Sequence, residues 1–167
     1  MRPDDYAEHW IFKVVRQMGN RFADLLQVQC TERGMSYAIT PSQWAALAWL
    51  TENEGIPIGT LAQRLDIEAS VTTGIVQRLE QHGLLERVHD HQDRRLVKLF
   101  LTDEGRKLVR ILEPVVIAFH QQLFRGFSAE EQQALLEQLQ QLNSNLPASP
   151  RDVLNQLSSH KSKGDQS

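Results

Sequence analysis

The chain has 167 residues, with 18 Lys and Arg against 21 Asp and Glu and 41% apolar content. This describes one soluble globular unit or elongated protomer and excludes a collagen, a disordered chain and a small stapled peptide. The net charge of −3 argues against indiscriminate coating of nucleic acid but leaves room for a local basic surface.

In chain order, Tyr6, Trp10, Val14, Met18, Phe22, Leu25 and Leu26 recur at three- and four-residue spacing, predicting an amphipathic helix over 6–29. Thr40, Pro41 and Gln43 predict a capping box opening a second helix that runs to about Thr51 or Glu54. Gly55, Pro57 and Gly59 bracket a short extended piece at Ile56 to Ile58. Thr60 then offers an N-cap for a helix over Leu61 to Asp66. A further helix is expected over Ala69 to His82, with Val71, Ile75, Val76 and Leu79 inward and Gly83 as its stop.

From Leu84 the period changes to two: Leu84, Glu86 and Val88 lead into a polar tip, and Val97, Leu99 and Leu101 lead out of it. Thr102 caps a long helix reaching about Arg125, in which Pro114 predicts a kink or break. Ser128 and Glu131 form a second capping box ahead of Leu135, Leu139, Leu142 and Leu146. A short final helix with Val153, Leu154 and Leu157 is expected, then a polar, disordered tail. The expected organisation is an N-terminal dimerisation helix in 1–39, a DNA-binding domain in 40–102, dimerisation helices in 103–158 and a tail in 159–167.

Two helices, a hairpin and the run Asp93, any residue, Arg95, five residues, Leu101, Thr102, followed by Gly105, resemble the MarR family of bacterial transcription regulators. The resemblance covers about residues 6–146. It implies a mainly α fold with a small β-hairpin wing, that is, a winged helix-turn-helix with a helical dimerisation region. It also implies a homodimer bound to pseudo-palindromic operator DNA, a repressor relieved by a small molecule, and an Asp93–Arg95 pair that stiffens the wing.

The residues themselves point the same way. Ser70, Thr72, Thr73 and Gln77 are polar positions on a helix long enough to enter a major groove. Arg94 and Arg95 at the hairpin tip suit phosphates or a narrow minor groove. Over residues 60–98 six basic residues meet six acidic ones, so binding should depend on geometry more than on bulk charge. The helices flanking this segment are more apolar than it alone requires, which favours a two-fold dimer.

For an effector, phenolic or anionic, Trp10, Lys13, Trp44, Trp49 and Arg106, with Arg110 as an alternative cation, supply aromatic walls and positive charge. Cys30 stands alone, which leaves a structural thiol as the main reading and a redox-responsive regulator as the alternative. His89, Asp90, His91 and Asp93 read as a solvated tip and not as a metal site, and His120 is the one histidine on the long helix. There is no Gly-rich phosphate loop, H-E-x-x-H or nucleophile elbow, so neither an enzyme nor a cofactor is expected. The charged opening and single cysteine carry no secretory signature, and no apolar run is long enough for a bilayer, so a cytoplasmic protein is expected. A helical interaction module that never meets DNA is the other reading left open.

Overall fold

The computed structural model describes residues 7–90, 96–147, 149 and 151. Tyr6, the hairpin tip with Asp93, Arg94 and Arg95, and nearly all of the final helix and tail expected after Ser149 lie outside the described residues. The chain divides into two units, Met1–His120 and Gln121–Ser167.

The first unit follows the order α1 (Ala7–Glu32), α2 (Pro41–Glu52), β1 (Ile56–Pro57), α3 (Ile58–Leu65), α4 (Ala69–Gln81), β2 (Leu85–His89), β3 (Val97–Leu101) and α5 (Asp103–Leu123), whose last turn passes the boundary. The strands form one antiparallel sheet ordered β1-β3-β2, with Ile56 opposite Leu99 and Leu85 opposite Leu101. Its core joins Leu47 and Leu50 of α2, Leu61 of α3, Val76 and Leu79 of α4, Leu99 and Leu101 of β3, and Leu108 and Leu112 of α5. Among the described residues of α1, the C-terminal part reaches this core through Leu26 and Cys30, with Phe22 packed against it. The N-terminal half leaves Trp10, Ile11, Phe12, Val14, Val15 and Met18 exposed, with Phe12 at 75%.

The second unit contains α6 (Ala129–Ser144), which has no buried residue. Leu136, Leu139, Leu142 and Leu146 are all exposed on it or just beyond it, and Phe124 and Phe127 meet edge to face ahead of it, 6.1 Å between ring centroids.

Both capping boxes form as expected. The Thr40 hydroxyl accepts from the Gln43 amide at 3.3 Å while the Gln43 side chain accepts from the Thr40 amide at 2.9 Å. Ser128 and Glu131 repeat the pattern at 3.2 and 2.8 Å. Thr102 caps α5 by accepting from the Gly105 amide at 3.0 Å, and α5 continues through Pro114 to Leu123 without a break.

Three local expectations are corrected. Helix α3 begins at Ile58 with Pro57 at the N-cap position and no side-chain cap, because the pairing of Ile56 and Pro57 with β3 delivers the chain directly into the helix. Thr60 therefore lies inside its first turn.

Val71 is exposed, whereas Thr72 is fully buried beside Ile75, Val76 and Leu79. The inward stripe is thus 72, 75, 76 and 79, a regular helical set in which the Thr72 hydroxyl is satisfied by donating to the Glu68 carbonyl at 3.0 Å.

The hairpin begins at Leu85, because Leu84 belongs to the turn that ends α4. Gly83 is left-handed at φ 69°, the Leu84 amide donates to the Leu79 carbonyl at 2.9 Å, and the Gly83 amide donates to the Glu80 carbonyl at 2.9 Å. This is a Schellman closure with Leu84 and Leu79 as its apolar pair. Leu84 and Leu85 are consequently both buried, and Val88 points outward at 38% exposure.

Candidate functional site

Helix α4 has 13 residues, roughly 20 Å at 1.5 Å per residue. Its inner stripe is locked into the core, which fixes the outer face. There Ser70, Thr73 and Gln77 form an exposed polar row at helical spacing. The Ser70 hydroxyl donates to the Glu68 carboxylate at 3.4 Å, and the Thr73 hydroxyl donates to the Ala69 carbonyl at 2.8 Å. Both oxygens remain able to accept from a ligand. Thr72 is not part of this row, because its hydroxyl is buried against its own helix.

A second row, Val71, Gly74 and Arg78, runs alongside the first. Together with Thr40, Gln43 and Ile75 it lines a hollow of about 180 Å³ between the start of α2 and α4. The sequence reading missed Arg78, although the spacing from 71 through 74 to 78 marks one continuous helical face.

The base of the wing is held by ion pairs. Lys98 Nζ lies 2.6 Å from Asp90 Oδ2, and Arg87 Nε lies 3.1 Å from Glu80 Oε2, the latter joining β2 to α4. Two of the four hairpin cations therefore neutralise neighbouring carboxylates.

The wing, α4 and α5 meet at one junction. The Thr102 hydroxyl donates to the Gly83 carbonyl at 2.6 Å, and the Thr102 amide donates to the Leu84 carbonyl at 3.2 Å. A Cβ at position 105 would stand 2.0 Å from the Leu84 carbonyl oxygen. Glycine at 105 is thus what allows α5 to start directly against the end of α4.

The five residues expected to hold an effector each have their own surroundings. Trp44 is buried in the core. Trp10 is exposed with the Lys13 ammonium 4.3 Å from its ring centre. Trp49 is half-buried with the Arg64 guanidinium 6.0 Å away. Arg106 is engaged by Glu54, and more loosely by Asp103 at 3.5 Å.

A cleft of about 320 Å³ instead lies between the end of α1 with its following loop and the start of α5. Arg33, Met35, Tyr37, Lys107, Leu108 and Ile111 line it, with Glu104 at its edge. It combines two cations, an aromatic ring and aliphatic walls. The Tyr37 ring also stacks on His82 at 4.1 Å and 15°, and His82 is the residue that ends α4. Burial raises the Tyr37 hydroxyl above its ordinary pKa, with further contributions from the nearby Cys30 and Glu104. Cys30 itself is 1% exposed in the core, an inert setting compared with the accessible thiols used as redox sensors.

The sequence profile of the MarR family matches residues 39–97. Among curated relatives, the homoprotocatechuate degradative operon repressor of Escherichia coli is 30% identical over 122 residues, covering 68% of this chain and 82% of that protein. The uncharacterized HTH-type transcriptional regulator YsmB of Bacillus subtilis is 35% identical over 95 residues, covering 57% of this chain and 65% of that protein. Across three of the curated relatives first matched, the chain spans 52–65% of their length. Among solved structures, the PcaV transcriptional regulator of Streptomyces coelicolor, crystallised with its natural ligand, superimposes with a TM-score of 0.70 at 25% identity, covering 87% of this chain and 96% of that one.

Proposed function

The chain belongs to the MarR family, and from that premise we infer that it is a homodimeric regulator that binds duplex operator DNA and is released by a small molecule. The observation that carries this reading is the exposed row of Ser70, Thr73 and Gln77 on a helix whose other face is immobilised by the core. Such a helix presents fixed hydrogen-bonding groups to base edges, while the wing and its tip arginines follow the adjacent backbone.

The dimer is supported by the apolar surface left uncovered within each unit: Trp10 to Met18 on α1, and the leucines of α6. Patches of this extent mark an association surface. Two-fold pairing would place two copies of α4 roughly 34–36 Å apart, one turn of DNA. Residues 1–39 and 103–158 would then serve dimerisation, and 40–102 would be the reading head.

We place the effector in the Tyr37 cleft and not at the tryptophans. Arg33 and Lys107 suit a carboxylate or phenolate, and Tyr37, Met35 and Ile111 suit an aromatic body. Displacing Tyr37 would act on His82 and through it on the end of α4. Repression follows the Escherichia coli relative, which carries that name.

The test is duplex binding across a salt series, repeated with benzoate and salicylate as probes. Arg78, Arg94 and Arg95 from two protomers supply six cations, so log K should fall with log salt at a slope of roughly −5. Absence of duplex binding at low salt refutes the reading in favour of a helical interaction module. Probe binding that Tyr37→Ala leaves unchanged refutes the cleft assignment.

A further inference from the structure

The outward face of α4 carries an apolar group where a groove-reading helix would be expected to be polar. Val71 is 53% exposed; Arg78 shares its face, and Ser70, Thr73 and Gln77 are exposed on the row alongside. One turn further, Gly74 interrupts the helix interior, and a Cβ built there meets nothing within 4 Å. Glycine in mid-helix costs about 0.5–1 kcal/mol relative to alanine. Among the described residues no neighbour requires its smallness.

We infer that Val71 and Gly74 form an apolar strip that packs against the C5 methyl group of a thymine, making this methyl a determinant of operator choice. The inference rests on the duplex-binding reading above and deepens it. The chemistry is specific: in the major groove only thymine carries an apolar projection, the other groups on the base edges being hydrogen-bond donors and acceptors. Valine suits the contact because its β-branched side chain has one strongly preferred rotamer in a helix, so little freedom is lost on binding. Gly74 removes the side chain that would stand next to Val71 on the same face, letting the backbone approach the base pair. Ser70, Thr73 and Gln77 on the parallel row would then hydrogen-bond to the flanking bases.

The experiment replaces each thymine of the preferred duplex, in both half-sites together, by deoxyuridine, which deletes only the methyl group. Affinity is measured for the parent protein, Val71→Ala and Gly74→Ala, with thermal melts confirming that each variant is folded. At one symmetric thymine pair the parent should lose about fourfold per half-site, roughly fifteenfold in all, the amount expected for one buried methyl on each side. Val71→Ala should bind the unmodified duplex more weakly and should no longer respond to deoxyuridine at that position. Gly74→Ala should melt higher than the parent yet bind the duplex several-fold more weakly.

A parent protein indifferent to the methyl at every thymine overturns the inference, as does a Val71→Ala variant that keeps the full deoxyuridine loss. Unchanged affinity of Gly74→Ala overturns the close approach at that residue. If the parent binds no duplex at all, the DNA reading itself falls and this inference with it.

Discussion

Replacing Gly105 with alanine inserts one methyl group where a helix start, a helix end and the base of the wing converge. The new Cβ would lie 2.0 Å from the Leu84 carbonyl oxygen, whereas an unstrained contact needs about 3.4 Å or more, so roughly 1.4 Å must be relieved by moving backbone. Overpacking of this kind costs about 1–3 kcal/mol. Separation of α5 from the turn would also weaken the two Thr102 bonds to Gly83 and Leu84, each worth about 1 kcal/mol. Alanine returns about 0.5–1 kcal/mol through helix propensity, leaving a net destabilisation of about 2–4 kcal/mol. Urea unfolding of Gly105→Ala beside Gly74→Ala checks this, because the same exchange at 74 enters open space and should stabilise by about 0.5–1 kcal/mol. Equal midpoints for the two variants, or a Gly105→Ala protein as stable as the parent, would refute the argument that close approach requires glycine at 105.

Asp66 holds φ 51° at the end of α3, a left-handed conformation unfavourable to a side chain, and its carboxylate also opposes the helix dipole; Asp66→Gly should raise stability by about 1 kcal/mol in urea unfolding, and a loss would contradict the strain argument. Glu54 accepts from the Leu101 amide at 3.1 Å and also pairs with Arg106, so Glu54→Ala should cost about 1–2 kcal/mol while Glu54→Gln, which can still accept from that amide, costs less. Tyr37 has a hydroxyl pKa raised above its ordinary 10.0. The folded state therefore holds this proton more tightly than the unfolded chain, and the resulting stability is present below pH 10.0 and is lost as pH rises through the folded value. Melting temperatures from pH 8 to 11.5 should fall more steeply for the parent than for Tyr37→Phe, and parallel curves would contradict this. Phe12, at 75% exposure on α1, belongs to the proposed dimer surface, so Phe12→Glu should shift the mass seen in sedimentation equilibrium from dimer towards monomer; an unchanged dimer would exclude that end of α1 from the interface.

What could be read from the sequence was what local chemistry decides. Thr40 with Gln43 and Ser128 with Glu131 form their capping boxes because both partners lie within one turn. The alternation of Val97, Leu99 and Leu101 was legible because β3 is the central strand, paired on both sides. The errors arose where tertiary contacts override residue type. Thr72 appeared outward because it is polar, yet a hydroxyl that bonds to its own helix can be buried, and the turn at Gly83 displaced the start of the hairpin to Leu85. Counting back seven residues from Leu79 would have placed position 72 inward and freed Val71.

The exposed polar row on α4 was thus legible at Ser70, Thr73 and Gln77 but not at Thr72. The Tyr37 cleft, proposed above for an effector, was not legible, because it joins residues 33–37 to residues 104–111 and is marked by no motif. Tryptophans attracted attention by their chemistry, but Trp44 spends its ring on the core.

The most direct test is selection of bound sequences from a random duplex library with the full chain over several salt concentrations. A dimeric reader should enrich a pseudo-palindrome whose half-sites are centred about 10 base pairs apart, with enrichment that persists as non-specific binding is removed by salt. Recovery of no common sequence at any salt concentration would contradict a DNA-reading role for α4 and the wing.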